Sequence, residues 1–352
     1  MSYFFPEDVA PAFERAFLHS LGILANIGIV QIDRNGDLLK RGEKLVIPRF
    51  GDISDPQRRD ISTTGQTRSF GELSSTPETG VILHDDVADQ FPLGNATFSG
   101  MDFQSYWLSR AGYKLARRVK QQIYRVAKAA IEAADTTDGS TASANIHIYN
   151  QYSKTVNQLM SVERLFDARQ KMGDAAGLLT VAVMNSTAWG NLFRDKIGNY
   201  VVDSVAGRLI NSGGITDQRL QATIRETFPM RIAVAEALGM TIIIDDDLTK
   251  ISTTGATYTY KSKYETLLFG PGAVYLGYQR NPAPYLDTDL SDARGAVLKM
   301  RAELDYCPHL LGITWNSVVT NPTDAQLATK ANWDEAYTDH RQVPCVKLIT
   351  NG

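Results

Sequence analysis

The sequence predicts an α+β fold. Residues Phe103 to Ala134 read as one uninterrupted, very long helix. Short apolar runs with strand character stand on both sides of it. These runs come in mixed order with helical patterns, without the regular βαβ alternation of a parallel sheet.

The helix rests on an i, i+4 row of Phe103, Trp107, Ala111, Leu115, Val119, Ile123, Ala127 and Ile131, which stacks neighbours on one ridge. No proline interrupts it, and only Gly112 lowers its propensity. Its length is about 48 Å at 1.5 Å per residue, well beyond the usual globular helix of about 11–12 residues. A strict i+4 row drifts around a straight helix, so different elements must cover the rod along its length. Its polar positions are one-sided: Arg110, Lys114, Arg117, Arg118, Lys120, Arg125 and Lys128, with no acid between Asp102 and Glu132. That is either a solvated face or a face meant for something acidic.

Ahead of the rod, residues 1–47 read as an extended arm. Pro11 to Leu24 is a short amphipathic helix with Phe13, Phe17, Leu21 and Leu24 on one side, ended by Asn26 and Gly28. Ile29 to Ile32 is a short strand, and Lys44 to Phe50 another, with Pro48 favouring an edge. Gly51 to Gly80 is polar and poor in large apolar groups. Such a stretch cannot bury enough surface to offset its ordering entropy, yet a long structureless loop is unusual in a compact chain. It is either a disordered insertion or a hairpin that orders on another subunit. Gly51 to Gly100 carries eight acids (Asp52, Asp55, Asp60, Glu72, Glu78, Asp85, Asp86, Asp89) against three arginines. The rod beside it is basic, so the signs are complementary.

Beyond the rod, Thr136 to Ala144 is a small-residue loop, and Val156 to Gly173 a helix with a charged face. Leu178 to Met184 is a buried strand, followed by a helix to about Val205 capped by Asn185 or Ser186. Asn211 to Gly214 is a turn, and Arg231 to Leu238 a short helix. Met240 to Ile244 is a buried strand stopped by Asp245, Asp246 and Asp247. Tyr264 to Phe269 and Ala273 to Tyr278 are strands joined across Gly270-Pro271-Gly272, a connection expected within one antiparallel sheet. Val297 to Cys307 and Leu310 to Val318 are further strands, Thr323 to Trp333 a short capped helix, and Pro344 to Ile349 a terminal strand.

With 352 residues the chain has ample material for a core. A net charge of −3 argues against a dedicated nucleic-acid binder, which is usually basic. Cys307 and Cys345 are too few for a disulfide framework and suit a reducing compartment; Cys345, in an apolar run, reads as a buried inert thiol. The N-terminus lacks a secretory pattern, and the most apolar stretch, Ala16 to Val30, is too short to span a bilayer. Synthesis in the cytoplasm, without membrane association, is the expectation.

The triple aspartate is the obvious metal suspect. Consecutive side chains point different ways, however, and no EF-hand or HExxH pattern accompanies them, so an acidic turn is the expected reading. Gly270-Pro271-Gly272 lacks the Lys-Ser/Thr and the following helix of a phosphate loop. His19, His84, His147, His309 and His340 have no metal-ligand spacing, and no nucleophile elbow is present. Tyr149, Tyr152, Trp189, Tyr200, Trp315 and Trp333 read as packing anchors, not base-stacking platforms. No catalytic, cofactor-binding or metal residue is assigned.

The order of parts carries a resemblance. The stretches behind it are Asn185-Ser-Thr-Ala-Trp-Gly-Asn-Leu192 and Gly239-Met-Thr-Ile-Ile-Ile-Asp-Asp-Asp247. Tyr264 to Tyr278 follows, then Leu311-Gly-Ile-Thr-Trp315, Asn321 to Leu327 with Asn332-Trp333, and Val346 to Gly352. In this order and context the chain resembles a tailed-bacteriophage major capsid protein of the Hong Kong 97-like fold. The resemblance implies an N-terminal arm at 1–47, an extended E-loop at 48–100 and a spine helix of the P-domain at 101–139. An A-domain at 140–258, P-domain strands at 259–320 and an A-domain return at 321–352 complete the division.

It further implies a virion protein that assembles as pentamers and hexamers into an icosahedral shell around double-stranded DNA. Scaffolding, portal and decoration proteins are the implied partners. The start at Met1 carries the expectation that no scaffolding domain is fused. The E-loop would lie across a neighbour, with Asp60, Glu72 and Glu78 meeting Arg110, Arg117, Arg118, Lys120 or Arg125 of another copy. The rival use of Arg117, Arg118 and Lys120 is contact with packaged DNA. Alternatives of other classes are an encapsulin-type cellular shell protein and, distantly, a soluble metal-dependent enzyme using Asp245–Asp247.

Overall fold

A computed structural model of the protein describes residues 13, 15–17, 21, 24, 27–33, 44–47, 77–92, 103–134, 146–194, 240–248, 250–252, 260, 262–289, 297–336 and 342–351. The predicted rod is one helix, Phe103–Ala134. From Trp107 to Ile131 every member of the i, i+4 row is buried. The winding of that row has the expected consequence: different elements cover the rod along its length.

Two sheets flank it. The first has the order β1(Val30–Asp33), β10(Val274–Asp289), β11(Val297–Leu310), β4(Leu83–Pro92). The second runs β5(Ile148–Asn150), β14(Cys345–Thr350), β9(Ser262–Phe269), β6(Val181–Met184), β7(Thr241–Ile244), with β8(Ile251–Ser252) also on β9. Two small pairs complete the set, β2(Lys44–Ile47) with β3(Glu78–Val81) and β12(Ile313–Trp315) with β13(Trp333–Glu335).

Leu298, Met300, Ala302, Leu304 and Tyr306 of β11 share one core with the rod. Strands of the second sheet are covered on both faces, which is why they read as continuous apolar runs. Val181, Val183, Leu267 and Phe269 join the rod's core, whereas Ala182, Met184, Leu268 and Val346 join a second core under the helix Val162–Gln170. Each fully buried large side chain contributes about 1.5–3 kcal/mol.

The predicted N-terminal helix face is buried as expected: Phe13, Phe17, Leu21 and Leu24 all lie in the rod's core. Gly112 explains itself here. A Cβ at that position would stand 2.8 Å from the Phe13 carbonyl oxygen, so the glycine lets this segment approach the rod.

Several elements differ from expectation. The Gly270-Pro271-Gly272 connection does not join neighbours in one sheet; it passes the chain from β9 in the second sheet to β10 in the first. Gly270 lies where a Cβ would meet Pro344 at 2.8 Å, and Gly272 has φ +64, so this crossing needs both glycines. Strand β10 continues past Tyr278 through Pro282 and Pro284, with register shifts at Tyr278/Arg280 and Arg280/Ala283 that absorb the prolines. Gly312 at φ +93 separates β11 from β12.

Strands β3 and β4 were not expected, because their acids mask the alternation. Val87 faces inward between acids, and β4 pairs with β11 from Leu83↔Tyr306 to Pro92↔Val297. The helix predicted from Val156 begins only at Val162, where Ser161 caps it. Asn185 caps the next helical stretch by accepting from the Thr187 backbone N–H at 2.9 Å. The predicted end of that stretch near Val205, the loops at 136–144 and 211–214, the helix at 231–238, and Asp60 and Glu72 lie outside the described residues. Cys307 and Cys345 are both buried, and burial pushes both thiols up. Among the described residues no helix is long and apolar enough to cross a membrane.

Candidate assembly interface: the basic rod and its carboxylates

Among the described residues the rod's cations meet carboxylates of their own chain at three places. The first is the turn after β7. Asp247, nearly buried, accepts from Arg117 Nε at 2.6 Å and Gln121 Nε2 at 3.3 Å, and pairs with Lys120 Nζ at 2.7 Å. Asp245 accepts from Tyr124 OH at 2.6 Å and pairs with Lys120 Nζ at 3.0 Å. Asp246 points elsewhere and accepts from the Ser186 backbone N–H at 2.9 Å. Burial alone would push the Asp247 carboxyl up, but hydrogen bonds from Lys120 and Arg117 outweigh it and hold the group below its ordinary value. Ser186 does the same for Asp246. Burial raises the Tyr124 phenol well above its usual value, and Asp245 adds to this, so it stays a neutral donor.

The second place is Asp324, first residue of the short helix Asp324–Leu327, whose N-terminus is closed by a Thr323/Gln326 capping box. Arg118 grips it with both terminal nitrogens, at 2.7 and 2.8 Å, the bidentate geometry that carboxylates favour. Gln122 donates to it at 2.9 Å and Arg125 pairs with it at 3.0 Å. The Arg118 hydrogen bonds lead in lowering the Asp324 carboxyl to about 2. Arg118 also reaches Asp85 of β4 at 3.3 Å, and Asp85 accepts from Tyr306 OH at 2.7 Å.

The third place is the rod's far end. Glu265 of β9, only 3% exposed, pairs with Lys128 at 2.9 Å, Lys263 at 3.5 Å and Lys347 at 3.9 Å. Lys347 is fully buried and also contacts Glu132. Burial pushes Glu265 up, but the charges of Lys128 and Lys347 win and keep it ionised.

The predicted contact residues therefore separate. Arg117, Arg118, Lys120 and Arg125 have intrachain carboxylates, although Arg117 stays about half exposed. Glu78 is fully buried with His309 Nε2 at 3.1 Å, so its carboxylate meets its own chain and has no exposed surface for another. Arg110 is exposed and lies over the Tyr106 ring, 5.6 Å from its centroid. Asp85, Asp245, Asp247, Glu265 and Asp324 are the partners that sequence reasoning did not assign. The one available signal was the rod's charge excess together with an aspartate triplet elsewhere in the chain.

Chemically, these groups hold carboxylates ionised and cations fixed, which suits holding shape more than moving protons. Two of the aromatic residues expected to be packing anchors, Trp315 and Trp333, are buried and meet edge to face at 4.9 Å.

A family model described as "Major capsid protein 13-like" (Gp13-like) matches residues 104–346. The "Major capsid protein" of Bacillus phage SPP1 is 24% identical over 256 residues, covering 72% of this chain and 67% of that protein. Among solved structures, a "Cyanophage Pam1 capsid asymmetric unit" is similar with a TM-score of 0.51 and 12% identity, over 92% of this chain and 90% of that one. The "Capsid structure of the Cyanophage P-SCSP1u" gives 0.50 and 12%, over 92% and 86%. A structure titled "Microbacterium phage Oxtober96" gives 0.52 and 10%, over 92% and 90%. At these identities the likeness is one of fold.

Proposed function

The chain belongs to the major capsid protein 13-like family, and from that membership we propose how it builds a shell. It is a major capsid protein of a tailed phage, part of the virion, and copies of it form the capsid. The matched family is one of phage heads, so the encapsulating-compartment alternative is set aside. The family is structural, and we read the subunit as a building block without catalytic chemistry, Asp245 and Asp247 serving the rod and not a metal.

In this reading residues 1–47 are the N-terminal arm, and the 48–100 segment reaches a neighbour through the part of it that precedes β3 and β4, which pair within the subunit. The rod with the strands of 259–320 makes the P-domain, and 140–258 with 321–352 the A-domain. Subunits gather as pentamers and hexamers around double-stranded DNA, with scaffolding and portal proteins and, in some shells, a decorating protein. The observation that carries it is the locking of one long rod to both sheets, by Asp245, Asp247 and Glu265 on the second and Asp85 on the first, and to the short helix by Asp324. A subunit fixed in this way transmits contacts at its ends without bending. Asp60 and Glu72, with Arg110 and Arg117, remain contact residues between copies. Exposed pairs contribute only about 0–1 kcal/mol each, so they set register while apolar burial supplies adhesion.

Light scattering and electron microscopy of the purified full chain test the reading. Megadalton particles are expected, and a small oligomer alone would sink it. Reversing Asp60 and Glu72 together to Lys should lower particle yield while leaving the melting temperature of the unassembled chain unchanged.

A further inference from the structure

The sequence offers Glu78 as a contact with another copy, yet its side chain is fully buried. It is the first residue of β3, the strand that receives the chain from residues 48–77. β3 pairs with β2 over only four residues, from Lys44↔Val81 to Ile47↔Glu78. In a hairpin with a short loop, the turn fixes how the two strands meet. The connection here is too long to do that. A two-stranded ribbon also twists more than a wider sheet. The direction of this ribbon must therefore be fixed where it meets the rest of the subunit.

Two polar ties stand at that root. His309 Nε2 of β11, on a side chain also fully buried, lies 3.1 Å from the Glu78 carboxylate. One residue on, the Thr79 backbone N–H donates to Thr314 Oγ1 of β12 at 3.0 Å. Strand side chains stand across the sheet and strand amides lie in its plane, so the two ties act nearly at right angles. One keeps the ribbon from tilting off the sheet, and the other keeps it from swinging within the plane. Gly80 lets the seat close: a Cβ there would stand 2.7 Å from Cys307 Sγ and 3.2 Å from His309 Nδ1. That Nδ1 is buried without a hydrogen-bond partner among the described residues, so Glu78 is the ring's one polar tie among them.

The other contacts at the seat are apolar: Leu45, Ile47 and Ile82 with Tyr275, Cys307 and Leu311. Such burial holds the ribbon down but has no direction, so it would accept a ribbon turned about its root. A buried polar pair does the reverse. It adds little stability over an apolar pair of the same shape, but a hydrogen bond weakens steeply when bent from its line.

We propose that Glu78 and His309, with Thr314, are positioning residues for assembly. They fix the line along which the segment before β3 leaves the subunit, and with it the place where that segment meets a neighbour. A small turn at the root would move everything that leaves from it. The consequence for assembly rests on the shell-forming reading; the seating of the ribbon does not.

The test replaces the pair in the full chain by apolar side chains of similar size, Glu78→Met with His309→Leu. The melting temperature should hold at the wild-type value, while particle yield falls at least about tenfold. Ribbon direction is read in the unassembled chain from nitroxide labels on Val46→Cys and Tyr285→Cys, both positions half exposed and both native cysteines buried. The distribution of distances between the labels should be narrow in the parent and broad in the apolar variant. Thr314→Val, which removes the other tie at nearly constant shape, should broaden it too. Glu78→Gln, which keeps a polar group at the same reach, should leave it narrow and retain most of the yield. An unchanged distribution in the apolar variant overturns the proposal, and so does a normal yield of particles. A loss of yield that follows a fall in melting temperature also overturns it, because the pair would then hold the fold and not a direction. Broadening in Glu78→Gln equal to that of the apolar pair does the same. Wild-type chain that forms no particle at all would refute the shell reading instead, and the label distances still decide the seating.

Discussion

From Arg117 to Glu132 the rod's charged groups are answered by side chains of the same subunit; from Tyr106 to Lys114 they meet no carboxylate among the described residues. The two parts look alike in sequence, each a run of cations on a helical ridge. What separates them is which strands and turns pass alongside. Beside the later part run the β7 turn, the Asp324 helix and β9, each bringing a carboxylate. Charge on a long helix thus does two jobs. One part fixes the subunit's shape, and the other is the part we propose for contact with another copy.

The comparison breaks most readily at the buried end. Glu265→Ala leaves Lys347 in the core with Glu132 alone, and removing one partner from a buried ionic cluster costs about 3–5 kcal/mol. Urea unfolding measures it; a loss below about 1 kcal/mol would mean that this end is solvated like the other. Next in size is Gly112→Ala. The helix gains about 1 kcal/mol in propensity, but the new methyl would sit 2.8 Å from the Phe13 carbonyl and 3.3 Å from Ala16 Cβ. Overpacking of this kind costs about 1–3 kcal/mol, so a net loss of about 1 kcal/mol is expected. A stabilised variant would show that the N-terminal segment is not pinned there.

Acid sharpens the contrast at intermediate scale. Asp324 has its carboxyl lowered from 3.8 to about 2. A depressed carboxyl contributes stability above its unfolded value and loses it as pH falls through the folded one. Asp324 is 43% exposed, so on the order of 1 kcal/mol is involved after solvent screening. Wild-type and Asp324→Asn unfolding midpoints should differ at pH 5 and converge towards pH 2. The smallest effect belongs to the rod's start: Arg110→Ala should change the stability of the unassembled chain by less than about 0.5 kcal/mol, while lowering particle yield. A clear loss of stability would mean that Arg110 serves its own subunit after all.

Much of this was legible beforehand. The rod's limits, the buried strand Val181–Met184 and the acidic turn after β7 follow from periodicity and turn chemistry, which are local. Three kinds of feature were not legible. Strand β4 is hidden by acids whose partners, Arg118, Arg301 and Trp107, lie elsewhere in the chain. The β10 extension is hidden by prolines that only a bulged register tolerates. The sheet-to-sheet crossing at Gly270-Pro271-Gly272 resembles an ordinary hairpin, because glycine allows both and only packing against Pro344 decides. Of the candidate contacts, the sequence revealed the rod's excess charge but could not say which cations were already answered, since pairing through space leaves no mark on neighbours in the chain.

The turn at Asp245 to Asp247 has a consequence for what changes it can accept. Asp245 and Asp247 face the rod and Asp246 faces the Ser186 amide, so one peptide step separates two unrelated duties. Replacing any one of these acids loosens one attachment. Adding or deleting a single residue rotates the whole set, and each carboxylate arrives where another was needed. The turn behaves as a gauge block of fixed length between sheet and spine, forgiving in composition and intolerant of any change in its count.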